Sequence, residues 1–516
     1  MSSGRRAARC LLAGIPAAAL LLGHSAYWHA GADLSNLPAP RRYWEDLAVA
    51  ATRYLDGGGD AVKVSINSAD GAELRLGFQR YLTRTAAEEG VPPWKFWRTI
   101  PVRPLLKGRR LMPREIDDPG RAALLTAGFR LLHGVSPFLP LWLGALVAAP
   151  VLAWAAGELA RAGRAAAGIV FALLVACSPY VVDSLSLPYS AVGFYVIALV
   201  AIVPLAAYAV SSEVRAAGLG ARALAAGAVF ALCVLCRSGS LFLLPGYVLA
   251  LAAGAWRLGA RRAAARPMAS RLVHGAVLLA LFLAPYAVVR QPRHHEVWLG
   301  LWEGLGDFDQ TKGHAWDDDV AREVLRRAGM GPPERYPVWE NAPENEALFR
   351  RLVVDDARSA PGWYAGILAR RLWVTLTQMK LSPWAPRDGL SIAPRRSSNE
   401  GAIDTYYAMA TPADRIGLGP WRVELPLVLL WEPTLVLFIL FGLGRGIARL
   451  RPWATRLGPV LLVMLCVAVA ALSLPVLFTT AAGLETQAFV MVYFLGVAFL
   501  LDEALRYRRT AGLPAG

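Results

Sequence analysis

The chain has 516 residues, of which 56% are hydrophobic, with a mean hydropathy of +0.40 and a formal net charge of +16. A soluble protein with two or three domains would be far less apolar, and about 17 to 25 apolar residues suffice for one membrane crossing. No basic and aromatic module typical of nucleic-acid binders is recognisable, so the positive charge does not indicate nucleic acid as a partner. The composition therefore predicts an all-α polytopic membrane protein.

Apolar segments predict about ten transmembrane helices. Their approximate bounds are residues 10 to 28, 137 to 156, 166 to 182, 190 to 210, 223 to 236, 240 to 256, 273 to 289, 425 to 443, 457 to 478 and 487 to 502. They divide the chain into a first span (1–28), a first outer segment (29–136), a transmembrane bundle (137–289), a second outer segment (290–424) and C-terminal spans with a short tail (425–516). Within the first outer segment, residues 121–135 predict an interfacial helix.

Arginine is concentrated in the connectors on one side of these spans. The residues are Arg5, Arg6, Arg9, Arg161, Arg164, Arg215, Arg222, Arg257, Arg261, Arg262, Arg266, Arg271, Arg445, Arg449, Arg451, Arg456, Arg506, Arg508 and Arg509. Such an excess near span ends marks the cytoplasmic face, so both termini are predicted to be cytoplasmic and the two long segments periplasmic. The arginines also favour contact with anionic membrane lipids.

The stretch from Leu224 to Trp256 is interrupted by Arg237-Ser238-Gly239-Ser240, and each half is short for a full crossing. The arginine-rich connectors before and after it belong on the same side. The chain must then cross twice, which predicts an outer turn at Arg237. There the guanidinium could grip a lipid phosphate through two parallel hydrogen bonds, or it could only anchor the turn at the interface.

Carboxylates in the outer segments are candidates for general-base chemistry or for a divalent cation. Asp33 follows the first span, and Asp117 and Asp118 precede a Pro-Gly turn before the interfacial helix. For Asp117 and Asp118 a solvated surface position is an equally open interpretation. Asp183, near the outer end of the third span, is a candidate binding residue or a helix cap. The run Asp317 to Asp319 favours a helix N-terminus over a site.

His294 and His295 begin the second outer segment, where they could meet the same phosphate as Arg237. A metal site built from these two adjacent residues alone is not expected, since neighbouring side chains seldom point at one ion. Glu485 lies just before the last span.

The layout of one span, a large acidic outer loop with an interfacial helix, and a bundle of hairpins resembles the GT-C class of integral-membrane glycosyltransferases, the relatives of protein mannosyltransferases and aminoarabinose transferases. Asp33 matches the position of their first-loop catalytic Asp. The run Asp118-Pro119-Gly120-x-x-x-Leu124-Leu125, continuing to Gly134-x-Ser136-Pro137, is similar to their approach to the second span. Residues 298–306, followed by 314–318, are similar to a segment of uncharacterised bacterial members.

Two departures from the family accompany this resemblance. Leu34 follows Asp33 where many relatives have a second acid, and the sequence after Glu485 lacks the Arg-Tyr that often follows the corresponding Glu.

The resemblance implies an inverting glycosyltransferase of the bacterial inner membrane that moves a sugar from a polyprenyl-phosphate donor to a lipid, glycan or protein acceptor at the periplasmic face. Asp33, Asp117 and Asp118 are then the candidate catalytic residues. The candidate substrate-binding residues are Asp183, Arg237, His294, His295 and Glu485. A divalent cation, Mg²⁺ or Mn²⁺, is the implied cofactor.

Two other classes remain open. A polytopic transporter or lipid flippase would need polar residues at mid-membrane, whereas charges in these spans lie near the span ends. A non-catalytic envelope scaffold would tolerate the loss of Asp33, Asp117 and Asp118 together.

Overall fold

The structure, a computed structural model, describes seventeen stretches of the chain. They are residues 3–30, 50–51, 53–54, 64–66, 111–113, 120–136, 139–186, 192–262, 267–288, 297–308, 311–315, 317–330, 343–377, 416–418, 421–423, 454–479 and 488–510. The predicted span at 425–443 lies outside them.

The described residues are predominantly helical. The helices are α1 (Ser3–Ala30), α2 (Gly120–Leu131), α3 (Leu139–Arg161), α4 (Ala165–Cys177), α5 (Pro179–Ser186), α6 (Val192–Ala209), α7 (Ala216–Cys236), α8 (Leu244–Arg262), α9 (Pro267–Val288), α10 (Trp298–Gly304), α11 (Asp318–Arg327), α12 (Pro343–Ser359), α13 (Pro361–Thr377), α14 (Ala454–Leu477) and α15 (Val490–Thr510). A 3₁₀ helix, Ser238–Leu243, leads into α8.

Two short antiparallel strand pairs are the exception to the helical fold. Strand β1 (Val64–Ile66) pairs with β2 (Leu111–Pro113), and β3 (Ile416–Leu418) pairs with β4 (Trp421–Val423). Each strand has three residues, so these pairs add little to the architecture.

Five helices among the described residues are long and apolar enough to cross a membrane. They cover Leu139–Arg161, Ala216–Cys236, Ser238–Gly259, Met268–Val288 and Gly458–Leu477. Three further apolar stretches, Leu12–Ala26, Ala165–Cys177 and Gly193–Ala209, are shorter. The membrane character predicted from the sequence is therefore supported, whereas the number of ten spans stays a prediction.

The predicted third span is not one continuous helix. Helix α4 ends at Cys177, and α5 begins at Pro179, which has no amide hydrogen to continue the helical hydrogen bonds. The amide of Ser178 instead donates to the carbonyl of Val175, at 3.3 Å. Helix α5, which includes Asp183, then packs against α3 and α6.

Helix α6 is the centre of the bundle. Every residue from 193 to 210 is buried, and α6 packs against α3, α7, α8 and α14. A helix that is apolar on all sides is expected to lie inside a bundle. This explains why α6 carries no polar stripe.

Arginine side chains meet at one end of the bundle, which we call the basic end. Arg222 at the start of α7 pairs with Glu158 near the end of α3, at 2.7 Å. Arg164, just before α4, pairs with Asp502 of α15 at 3.0 Å. Arg257 near the end of α8 donates to the carbonyl of Ser211 after α6, at 3.1 Å. Connectors far apart in sequence therefore share one end, as the alternating-span prediction requires.

The opposite end, which we call the distal end, contains the turn between α7 and α8. The ring centroids of Phe242, in this turn, and Phe478, which follows α14, are 4.9 Å apart. At the same end, the His24 ring in α1 bonds the carbonyl of Ala176 in α4, at 2.9 Å. Residues 216–262 therefore run from the basic end to the distal end and back, which agrees with the predicted double crossing.

Helices α10 to α13, in the predicted second outer segment, form a small helical unit with its own core. Its buried residues include Leu299, Trp302, Leu325, Phe349 and Ile367. Helix α13 packs on α14, so this distal helical unit is attached to the distal end of the bundle.

Candidate functional site at the distal end

Most of the side chains predicted for the site lie outside the described residues. These are Asp33, Asp117, Asp118, His294, His295 and Glu485. For Asp183 the structure describes only the helical backbone of α5. Arg237 is the predicted site residue whose position can be followed in detail.

Arg237 lies in the turn that joins α7 to the 3₁₀ helix. Its backbone is extended, with φ −154° and ψ 101°, and its amide donates to the carbonyl of Cys233 at 2.7 Å. Its own carbonyl accepts from the amide of Ser240 at 2.9 Å. These bonds end one helix and begin the next, so Arg237 is held at the distal end with a half-buried side chain.

The first residue of α2 packs directly beside this turn. A Cβ atom built on Gly120 would lie 2.8 Å from both the Sγ atom of Cys236 and the Cβ atom of Leu235. Real Cβ atoms do not approach other atoms so closely, so glycine permits this contact between α2 and α7. Gly120 follows Asp117 and Asp118 by three and two residues in the sequence.

Helix α14 closes the other side of the turn. A Cβ atom on Gly239 would lie 3.2 Å from the Cδ1 atom of Leu474 and 3.7 Å from the Nε atom of Arg237. The Arg237 side chain is thus near the point where the turn touches α14. Three sequence-distant segments, α2, the Arg237 turn and the end of α14, meet here.

A buried polar cluster attaches the distal helical unit to the end of α14. Arg371 of α13 donates through Nε to Asp307 at 3.0 Å, and Thr479 donates to the other oxygen of Asp307 at 2.8 Å. Arg371 also donates through Nη1 to the carbonyl of Val476 at 3.3 Å. The Arg371 and Asp307 side chains are only 1% and 2% exposed. Asp307 thus links α13 to Thr479, which follows α14 and precedes the segment that contains Glu485.

Two glycines of α10 make this attachment close. A Cβ atom on Gly300 would overlap the ring of Phe478, and one on Gly304 would overlap the Phe478 carbonyl oxygen. These glycines are four residues apart and therefore share one face of the helix. Residues 298–306 carry part of the family resemblance, whereas Asp307, Arg371 and Thr479 are not among the residues predicted from the sequence. The Gly300 and Gly304 spacing was the available signal.

His314 is a buried titratable residue in the distal helical unit. Its Nε2 atom lies 2.8 Å from Asp356, which also accepts from Lys312 at 2.9 Å. The ring stacks on Trp363 and contacts Trp302 edge-on, with centroid distances of 5.9 and 5.2 Å. These contacts connect the loop before α11 with α10, α12 and α13.

Burial lowers the pKa of His314, although the hydrogen bond and negative charge of Asp356 oppose this shift. Burial acts to raise the pKa of Asp356, but the hydrogen bonds from Lys312 and His314 outweigh it, so the net shift is downward. At neutral pH the arrangement is therefore a neutral imidazole that donates to a carboxylate.

The acidic run before α11 is a helix cap, as predicted. Asp317 accepts a hydrogen bond from the amide of Asp319 at 2.9 Å, and α11 begins at Asp318. This satisfies one of the free amides of the first turn. The side chain of Asp319 is 82% exposed.

Within the described residues, no group of three or more His, Cys, Asp or Glu side chains is placed to hold a metal ion. The candidate carboxylates Asp33, Asp117 and Asp118 are not among the residues described. The divalent cation stays a prediction, and we assign no chemical step to it.

Comparison of the chain with known protein families, curated proteins and solved structures finds no match.

Proposed function

We propose that this protein is a membrane glycosyltransferase that transfers a sugar from a polyprenyl-phosphate donor to an envelope acceptor at the distal end of the bundle. The observation that carries the proposal is the position of Arg237. It lies at the end opposite the arginine-rich connectors, beside Gly120, the residue that follows Asp117-Asp118-Pro119. The proposal makes the distal end periplasmic and the basic end cytoplasmic.

Charge at this end of the bundle suits an anionic lipid phosphate. The sequence from Val214 to His295 contains no Asp or Glu, so helices α7, α8 and α9 carry basic but no acidic residues. A guanidinium can bind two phosphate oxygens in parallel, which fixes orientation as well as charge. In this proposal Arg237 holds the phosphate of the donor, and the lipid tail of the donor lies among the helices.

The reaction needs a base for the acceptor hydroxyl. A carboxylate, Asp33, Asp117 or Asp118, takes the hydroxyl proton as the oxygen attacks the anomeric carbon. The bond from that carbon to the phosphate oxygen breaks, and polyprenyl phosphate leaves with the electron pair. Arg237 stabilises the charge that develops on the departing phosphate. One displacement of this kind inverts the anomeric configuration.

The test uses purified, membrane-inserted protein and measures turnover of a polyprenyl-phosphate sugar. Arg237→Lys keeps the charge but loses the planar fork, so donor use should be impaired. Replacing the true base by Asn should reduce turnover by roughly a hundredfold or more.

Matched controls come from residues outside the proposed site. Arg130→Lys alters an exposed arginine of α2, and Asp319→Asn alters the exposed carboxylate of α11; both should leave turnover unchanged. Normal turnover in Arg237→Lys and in Asp33→Asn, Asp117→Asn and Asp118→Asn would overturn the assignment.

A further inference from the structure

A cation and an aromatic ring form a platform at the basic end, between α8 and α9. The guanidinium carbon of Arg271 lies 3.5 Å from the centroid of the Trp256 ring. The two helices approach closely here, since a Cβ atom on Gly259 would overlap the Cγ atom of Arg271. Gly259 lies three residues after Trp256, on the same face of α8. It therefore leaves room for the arginine stem that reaches the ring.

Arg271 has no acidic partner in this platform. It forms no ion pair with any described residue, and its buried Nε atom has no hydrogen-bond partner there. Other arginines at the basic end do have anionic or carbonyl partners, such as Glu158 for Arg222 and Asp502 for Arg164. The stretch from Val214 to His295, which includes the whole α8–α9 connector, contains five arginines after Trp256 and before Leu272 but no acid.

An exposed apolar surface extends from this platform along α9. Its side chains include Met268 (57% exposed), Leu272 (64%), Val273 (62%) and Val277 (53%). In the most apolar 18-residue stretch of α9, only 11% of the residues are buried within the protein. A surface of this length and polarity is suited to lipid acyl chains.

We infer that Arg271 and Trp256 form a binding site for the phosphate headgroup of an anionic phospholipid, with an acyl chain along the exposed face of α9. Charge complementarity favours this occupant over a second copy of the chain, because two such platforms facing each other would bring arginines together. Stacking on Trp256 orients the guanidinium and leaves the edge of its plane for phosphate oxygens. The site lies at the end of the bundle opposite Arg237 and is independent of the proposed reaction.

The test is native mass spectrometry of the full-length protein, titrated with phosphatidylglycerol and, separately, with phosphatidylcholine. Wild-type protein should retain phosphatidylglycerol in preference. Arg271→Gln should weaken retention of the first bound phosphatidylglycerol by roughly fivefold, the effect of one arginine near an anionic surface. Trp256→Leu keeps an apolar contact but removes the ring, so it should weaken retention to a smaller extent.

Arg130→Gln is the matched control, since it removes an exposed arginine from α2 while the α8–α9 platform stays intact. It should bind phosphatidylglycerol like the wild type. Should Arg271→Gln not fold, Arg271→Lys combined with Trp256→Leu tests the same contact. Wild-type retention in the Arg271 variants, an equal loss in Arg130→Gln, or equal retention of the two lipids by the wild type would overturn the inference.

Discussion

The carboxylate of Asp307 bonds both Arg371 and Thr479, and all three side chains are buried. A buried ion pair gains little net stability, because taking both charges out of water costs nearly as much as their attraction returns. Removal of one partner is different, since it leaves an uncompensated charge in the interior. The pair is therefore sensitive to single substitutions and tolerant of a matched double replacement.

Asp307→Asn alone should lower the free energy of unfolding by about 3–5 kcal/mol, because Arg371 would remain charged and buried. The double variant Asp307→Asn with Arg371→Met should be more stable than the sum of the two single effects predicts. Thermal unfolding of purified protein measures both effects. Arg327→Met is the control, since this arginine is 77% exposed and, among the described residues, pairs with Glu323 at the surface. Strict additivity of the two buried substitutions would contradict the interpretation.

Glycine-mediated contacts decide how the helices pack. A Cβ atom on Gly227 of α7 would overlap the carbonyl oxygen of Phe282 in α9, and one on Gly246 of α8 would overlap that of Cys466 in α14. In a membrane the hydrophobic effect does not drive helices together, so close backbone packing carries much of the association energy. The positions of α9 and α14 against the bundle therefore depend on particular glycines.

Gly227→Ala should destabilise the protein by about 1–3 kcal/mol, the usual cost of overpacking, because the opposing atom is backbone and cannot turn away. Gly366→Ala in α13 is the matched control. Apart from its own helical turn, no atom of the described residues lies within 4 Å of a Cβ atom built there, and alanine favours a helix over glycine by about 0.5–1 kcal/mol. The midpoint of thermal unfolding should therefore fall in Gly227→Ala and rise in Gly366→Ala. A stabilised Gly227→Ala protein would show that α7 and α9 are not in close contact.

The whole molecule has two chemically different ends. Ion pairs of Arg164 and Arg222 with acidic residues occupy the basic end, whereas the Arg237 turn and the distal helical unit occupy the other. Since positive charge is retained on the cytoplasmic side, the two ends predict the orientation of the protein in its membrane.

Topology reporters fused near residues 265 and 452 should read as cytoplasmic, and those near 80 and 350 as periplasmic. An accessibility label at Ser238, in the Arg237 turn, should react from the periplasmic side. Reporter activity in cells measures the first set and an impermeant thiol reagent on Ser238→Cys the second. A periplasmic signal at residue 265 would mean that residues 216–262 cross only once, and the Arg237 proposal would fail with it.

Several elements of the fold follow directly from patterns in the sequence. Apolar runs long enough to cross a bilayer predict α3, α9 and α14, and the Asp317 cap predicts the start of α11. The parity of the arginine-rich connectors predicts the turn at Arg237. The first two depend on hydropathy or on neighbours within one helical turn, and the third depends on where arginines lie along the chain; a single sequence displays all of these directly.

Other features arise only from the tertiary structure. Asp307 and Arg371 are separated by 64 residues, and Asp307 and Thr479 by 172, so no local pattern pairs them. The break between α4 and α5 was hidden by continuous hydropathy. The contact of Gly120 with Cys236 likewise depends on how α2 packs. By itself the sequence determined the apolar helices and the arginine asymmetry. Insertion into lipid depends on the hydropathy of a segment, and retention on the cytoplasmic side depends on the arginines in the connectors. Which side chains meet at the distal end was decided by packing, because close contact between distant segments depends on the shape of the whole bundle.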